Sequence, residues 1–404
     1  MIYQLIHRLL LRRHFWRHAT FSEVAELYAS RMMRMMAINI SAAFVSVFLY
    51  QLGYSIQFIA GYWTLFYLAK VFISLPAAKY AAMFGPKHGI LISNLLYIPA
   101  MVIYVFVPQW GITALAIAGV LQAASAATYD LCYMIDFSKV KSIDHAGKEI
   151  AYMNMVEKIA KGLSPFIGGV LAFIAGPQAT MVAAAILFAF SAVPLFKTAE
   201  PVSLHQKLAF RGFPWRLAWR SFIAESAVGF DTIASGTVWS LLVAVGILGV
   251  TGNQVYAQLG ALLSVVFLAA LVASYTYGQL IDKRRGGELL RVGVVADSLV
   301  HLSRPFVTSP VIVAGVNVAN EAATTGYAMA FTRGMFDTAD LSGQRITYLG
   351  FIEVVVNLGA FVAGLLFWLF VSFMEPIHGM RMFFFVAAAV VLLIATPKFH
   401  LYRR

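Results

Sequence analysis

Charge is scarce in this 404-residue chain: Asp, Glu, Lys and Arg together make up 12%, about half the share in soluble globular domains. With 61% of residues hydrophobic and a mean hydropathy of +0.79, so little charge cannot cover the surface of a soluble fold. Disorder is excluded as well, because it requires few apolar residues and much charge. The single cysteine, Cys132, excludes a disulfide framework and a cysteine-built metal site. Catalytic signatures are missing too: the chain has no His-Glu-x-x-His, no Gly-x-Ser-x-Gly and no Gly-x-x-x-x-Gly-Lys loop. An intramembrane enzyme or a pump fuelled by ATP on this chain is therefore disfavoured, and no cofactor is expected. What remains is an all-α membrane protein, since the apolar runs are continuous rather than alternating.

A spanning helix needs about 20 mainly apolar residues. That ruler predicts twelve spans, over residues 31–52, 57–82, 88–107, 111–135, 150–174, 177–196, 218–247, 253–281, 288–307, 311–332, 345–373 and 379–397. Gly85-Pro86, Pro108, Gly176-Pro177, Gly252-Asn253 and Pro376 punctuate them. By alternation almost every Lys and Arg falls on one side, and the opposite loops hold only Arg304 and Arg381. Basic residues stay cytoplasmic, so both termini are expected there, in a multi-pass protein of the cell membrane. The net charge of +12 is then a topology signal dispersed over short loops, not a nucleic-acid footprint. The expected organisation is an interfacial amphipathic segment (1–30), a six-helix bundle (31–196), a cytoplasmic linker (197–217), a second six-helix bundle (218–397) and a short tail (398–404).

Shifting the chain by 196 residues lays 117–169 over 313–365 with 13 identities in 53 positions, among them Asp144 on Asp340, Tyr152 on Tyr348 and Glu157 on Glu353. Apolar bias does not supply matched Asp, Tyr and Glu at one register, so spans four and five look duplicated as spans ten and eleven. Six spans plus a linker separate the copies, which gives two halves of parallel orientation.

Between spans eight and nine stands Gly278-Gln-Leu-Ile-Asp282-Lys283-Arg284-Arg285-Gly286-Gly287. It resembles the cytoplasmic loop motif of the major facilitator superfamily, with one extra residue between Asp282 and Gly286. In that motif a carboxylate at a helix end latches to a neighbouring arginine; Arg333 is grouped with the element here. The first-half copy keeps Gly85 but has Ala82 in place of the Asp. In span five, Ser164-Pro165-Phe-Ile-Gly168-Gly169 is similar to the Gly-Pro-x-x-Gly-Gly element of proton-coupled drug antiporters in the superfamily, with Ser164 for the first Gly. The resemblance implies twelve helices in two six-helix bundles related by a pseudo-two-fold axis. It also implies alternating access, a monomer, and a cavity lined by spans one, four, seven and ten.

Ionisable groups inside spans are costly and mark function by default. Asp231 and Glu321 both fall near the midplane, and either is a candidate coupling acid; the alternative for each is a structural ion pair. Glu225 is placed nearer the cytoplasmic end. Glu157 and Glu353 recur in both halves near the cytoplasmic helix ends and suggest a structural grip on loop arginines. Asp130 either pairs with Lys70 or leaves that lysine to snorkel, and Arg34 reads as an interfacial anchor. Asp297 and His301 share one face of span nine, which is peripheral in the family, so they read as an internal pair, with a proton relay as the alternative. Asn39, Gln122, Asn317 and Asn320 bond either cargo or a neighbouring helix. Deep cations look too few for an anion or sugar permease. The expectation is therefore proton-coupled efflux of amphipathic small molecules, with nutrient, lipid or ion permeation as the alternative. Its partners would be that solute, protons and the bilayer.

Overall fold

Glycine and proline set where the helices end. The computed structural model describes residues 21–140, 146–196, 208–249 and 252–402, and every regular element among them is helical. Twelve rods follow one another among these residues. The first half holds α1 Phe21–Gln51, α2 Ile56–Phe84, α3 Pro86–Val105, α4 Val107–Val140, α5 Ala146–Ala175 and α6 Pro177–Leu195. The second holds α7 Trp215–Leu248, α8 Gln254–Asp282, α9 Gly286–Ser303, α10 Pro310–Leu341, α11 Arg345–Phe373 and α12 Pro376–Ala395. Gly85 takes φ 90°, where a side chain would strain the backbone, and Pro86 then opens α3. The α3–α4 junction punctuated by Pro108 breaks on either side of it, at Phe106 and at Gly111, the latter with φ 53° and ψ −129°.

Ten of the twelve rods are long and apolar enough to cross a membrane. The other two, α9 and α10, carry the polar side chains: Glu288, Arg291, Asp297 and His301 on α9, and Asn317, Asn320, Glu321 and Arg333 on α10. Helix α1 already runs from Phe21, so residues 21–30, expected within the interfacial segment over 1–30, are continuous with the first rod. Residues 1–20 and linker residues 197–207 lie outside the described residues. Phe72, Leu268 and Phe373 stand exposed on the outer surface, where a bilayer would cover them.

The halves meet along two seams, α5 with α8 and α2 with α11. In the first, a Cβ on Gly169 would sit 2.5 Å from the Tyr256 carbonyl oxygen, and one on Gly260 would sit 2.3 Å from that of Pro165. Small residues let these backbones touch, which is why the Pro165–Gly169 element lies where it does; Gly168 does the same for α1, against Ile40, and Ser164 is buried beside it. In the second seam, Asn357 Nδ2 reaches Ser74 Oγ at 3.4 Å and Gln57 Nε2 donates to the Val371 carbonyl at 3.0 Å. Within the second half, a Cβ on Gly359 would lie 1.8 Å from the Ser226 carbonyl oxygen of α7. Gly359→Val must push α7 and α11 apart, and we expect a loss of about 3 kcal/mol, read as a lower melting temperature of the purified protein.

Glu375 precedes α12, and its carboxylate accepts from the Ile377 and His378 amides at 3.1 and 2.8 Å. Those backbone N–H groups hold its pKa below the usual carboxylate range. A carboxyl whose folded pKa is depressed stabilises above its unfolded value and loses that contribution as pH falls through the lower, folded value. Glu375→Ala should therefore cost about 1 kcal/mol near neutrality, and the difference from the parent should shrink in melts run below about pH 4.

Candidate functional site

Between the halves lies a cavity of about 480 Å³, walled by α1, α2, α3, α4 and α5 on one side and α7, α8 and α10 on the other. Two departures from regular helix shape its second-half wall. Helix α7 widens into π-helical turns over Ile233–Val238 and Leu242–Leu248, and Ser235, Gly236 and Ser240 from this stretch face the cavity. Such turns recur at functional sites because they release the backbone from strict 3.6 periodicity. Helix α8 is interrupted between Ser264 and Phe267, where Val266 and Phe267 join the wall. At the end away from the termini, Tyr256 OH donates to Gln51 Oε1 at 2.6 Å and Gln51 Nε2 to the Gly252 carbonyl at 2.8 Å. At the terminal end, Phe137 of α4 meets Phe336 of α10 with ring centroids 5.7 Å apart. The halves thus touch beyond both ends of the cavity.

Of the ion pairs at the wall, two cross from half to half, Lys158 with Glu321 and Lys70 with Glu353, while the others stay within the first half. Lys158 of α5 is ion-paired with Glu321 of α10, and Glu321 also accepts from Thr325 Oγ1 at 3.1 Å. Lys70 of α2 donates to Asp130 of α4 at 3.3 Å and lies 3.7 Å from Glu353 of α11. Glu353 further accepts from Asn357 Nδ2 at 2.7 Å. It faces Lys70 inside the bundle, not the loop arginine that its helix-end position suggested. Its repeat partner Glu157 holds Arg31 of α1 at 2.7 Å and Lys161 at 3.4 Å; Arg31 likewise belongs to a helix, not a loop.

Arg34 corrects the expectation of an interfacial anchor. Its side chain is buried on the cavity wall, with Nη1 donating to Asn94 Oδ1 at 2.7 Å, Nη2 to Ser125 Oγ at 3.3 Å, and the guanidinium 3.8 Å from the Tyr129 ring centroid. Lys70, Lys158 and Lys161 line the same cavity, so deep cations are not scarce as the sequence suggested.

A second buried network fills the second half beside the cavity. Asp231 accepts from His301 Nε2 at 2.9 Å, Tyr327 OH at 2.5 Å and Ser235 Oγ at 2.7 Å. Arg304, expected in an outer loop, folds inward and is 1% exposed. It reaches His301 Nδ1 at 3.0 Å, Ser235 Oγ at 3.1 Å and Asn320 Oδ1 at 2.8 Å, under the Trp239 and Phe384 rings. Asp297 lies 3.7 Å from His301 Nε2. Helix α9 keeps an exposed outer face at Val292, Val295 and Leu299, and the inner face of its last turns supplies the centre of this network. Asp231, Asp297 and His301 are close enough to hold a metal ion, yet the hydrogen bonds argue otherwise. Arginine only donates, so His301 Nδ1 accepts and Nε2 carries the proton that goes to Asp231. Neither ring nitrogen keeps a lone pair for a cation.

Of the residues singled out from sequence, Glu321, Asp130, Asn39 and Gln122 line the cavity. Asn39 Nδ2 bonds its own helix at the Met35 carbonyl, and Gln122 ties Tyr104 to Tyr97, each at 2.7 Å. Asn317 joins helices, accepting from Trp239 Nε1 at 2.7 Å and donating to the Leu262 carbonyl at 2.9 Å. Glu225 lies half-buried on α7, facing Glu353. In the loop motif, Gly278 is buried in α8, Asp282 ends that helix, Lys283 follows as its cap and Arg284 takes φ 60°. Arg285 pairs with Glu288 at 2.8 Å on the surface. Gly286 opens α9 beneath Tyr402, which Arg333 also approaches. Sequence reasoning missed Lys158 as a wall residue and placed Arg34 and Arg304 too shallow. Counted from Phe21, Arg34 is about 20 Å along the helix at ~1.5 Å per residue, a depth hidden by the later start assigned to span one.

A family model described as Major Facilitator Superfamily matches residues 27–364. Among solved structures, the E. coli fucose:proton symporter FucP is similar over 92% of this chain and 97% of its own, with a TM-score of 0.65 at 15% identity. The human organic anion transporter MFSD10 (TETRAN) gives 0.65 at 12% identity over 94% and 98%. The nucleoside transporter NupG gives 0.66 at 12% identity over 92% and 97%. No curated protein sequence matches significantly, so these likenesses speak for the fold. The family model, the twelve-rod architecture and the cavity between duplicated halves together make this chain a member of the major facilitator superfamily, a multi-pass membrane transporter.

Proposed function

We propose that the chain is a proton-coupled secondary transporter of amphipathic small molecules, working by alternating access, with Glu321 as the coupling acid. The observation that carries this reading is the ion pair between Lys158 and Glu321, which ties the two halves together on the cavity wall. The charged groups facing Glu321 are Lys158 and Lys161, both from α5. While Glu321 is ionised, its attraction to Lys158 resists rocking of the halves; a proton on Glu321 removes that attraction and frees them. Asp231, the other acid at this depth, is locked into hydrogen bonds within one half and does not line the cavity, which suits a structural role. The aromatic wall of Trp63, Phe66 and Tyr67 suits the apolar part of a solute.

A second observation bears on direction. The Ser164–Gly169 element, similar to the exporters' motif, sits on the α5–α8 seam where the halves must slide, and it favours export. Protein reconstituted in vesicles and given a pH gradient should move protons when solute is added. Glu321→Gln should abolish that movement, and a wild-type level of coupled flux in the variant would refute the assignment. Accumulation in inside-out vesicles acidified within is the result expected for export.

A further inference from the structure

One buried charge on the cavity wall, Arg34, has no carboxylate at ion-pair distance; Asp130 acts on it only from farther off. Arg34, Lys70, Lys158 and Lys161 line the cavity with Asp130 and Glu321, and Arg31, Glu157 and Glu353 join them as ion-pair partners. Each carboxylate has a cation within ion-pair distance, and among the described residues each cation except Arg34 has a carboxylate. Arg34 is 1% exposed, and its hydrogen-bond partners, Asn94 and Ser125, are neutral. Its Nε has no partner. The Tyr129, Tyr97 and Phe188 rings lie 3.8, 5.4 and 5.3 Å from its guanidinium carbon. Ring faces offset part of the cost of desolvating a cation, but not the whole of it. The positive charge is thus fixed in place, desolvated beforehand and without a carboxylate at ion-pair distance.

We propose that the cargo is an organic monoanion whose carboxylate, or other singly charged oxyanion, is received by Arg34 while its apolar body lies against Trp63, Phe66 and Tyr67. The planar guanidinium fork suits two-point capture of an oxyanion. The cavity of about 480 Å³ falls within the ~300–1,000 Å³ range of pockets that enclose drug-sized molecules. This deepens the transporter reading and rests on it for the movement of the cargo, though not for its binding.

The test uses the full chain in lipid nanodiscs and two charge series built on single skeletons. These are indole-3-acetate, indole-3-acetamide and tryptamine, and the naphthalene-1-acetate, -acetamide and -methylamine set. The acid should bind at least tenfold more tightly than its amide on at least one skeleton, with the amine weakest. Arg34→Gln should bring the acid to the level of the amide. Arg34→Lys, which keeps the charge but loses the fork, should retain part of the preference; it and the wild-type series still decide the matter if Arg34→Gln does not fold. Acids no tighter than amides on both skeletons, or an acid preference that survives Arg34→Gln, would overturn the proposal. Acid-selective binding without proton movement would instead count against the coupling reading alone, whereas proton-driven movement of amines would do the reverse.

Discussion

Asp231→Ala is expected to cost about 3–5 kcal/mol, the scale seen when one member of a buried charged cluster is removed. The reason is local. Asp231 receives three hydrogen bonds, from His301, Tyr327 and Ser235, and its negative charge sits within the network that encloses Arg304. Without it, three donors lose their acceptor and a fully buried arginine loses a nearby counter-charge. Asp231→Asn preserves the shape and one acceptor oxygen, so the loss should be nearer 1–3 kcal/mol. Thermal unfolding of the two variants should rank them in that order. Because the role assigned here is structural, surviving Asp231→Asn protein should still show proton-dependent transport. A variant as stable as the parent but uncoupled from protons would reverse the roles of Asp231 and Glu321.

Glu321→Gln should have the largest effect on transport itself. A glutamine cannot bind and release a proton, so accumulation against a gradient should fall at least tenfold, a change of more than about 1.4 kcal/mol in coupling free energy. Exchange of labelled for unlabelled cargo needs no net proton transfer and should persist. Lys158→Gln should resemble it in weakening the tie between the halves, but it leaves Glu321 buried without its cation. We therefore expect Lys158→Gln to be less stable than Glu321→Gln, and the double variant to recover stability.

Much of this architecture can be read from the sequence, and for simple reasons. A span must satisfy its own backbone in lipid, so twelve apolar runs between glycine and proline breaks translate almost directly into twelve rods. The 196-residue offset finds the duplicated halves because Glu157 and Glu353 are repeated along with the apolar background. The site is less legible. Asp231 and Glu321 lie at similar depth, and only rotation about the helix axis decides which one faces the cavity. Just after Asp231, the π-helical turns from Ile233 break the 3.6 periodicity on which such an estimate depends. The partners are also distant in sequence: Lys158 and Glu321 differ by 163 in residue number, and Lys70 and Glu353 by 283. Arg304 shows a further limit: a residue at a helix end reads as a loop marker, yet its long side chain can turn inward and be buried.

If protonation of Glu321 loosens one half from the other, distances between the halves must report it, whatever the cargo. Met83 at the end of α2 and Leu341 at the end of α10 are exposed, as are Leu52 after α1 and Phe373 at the end of α11. Spin labels on these two pairs report the terminal end and the far end of the cavity. In the parent protein both distance distributions should shift, in opposite senses, as pH falls from about 7 to about 4, across the range in which a carboxylate takes up its proton. In Glu321→Gln they should stay at the acidic form throughout. Distributions that titrate in Glu321→Gln as they do in the parent would contradict the account.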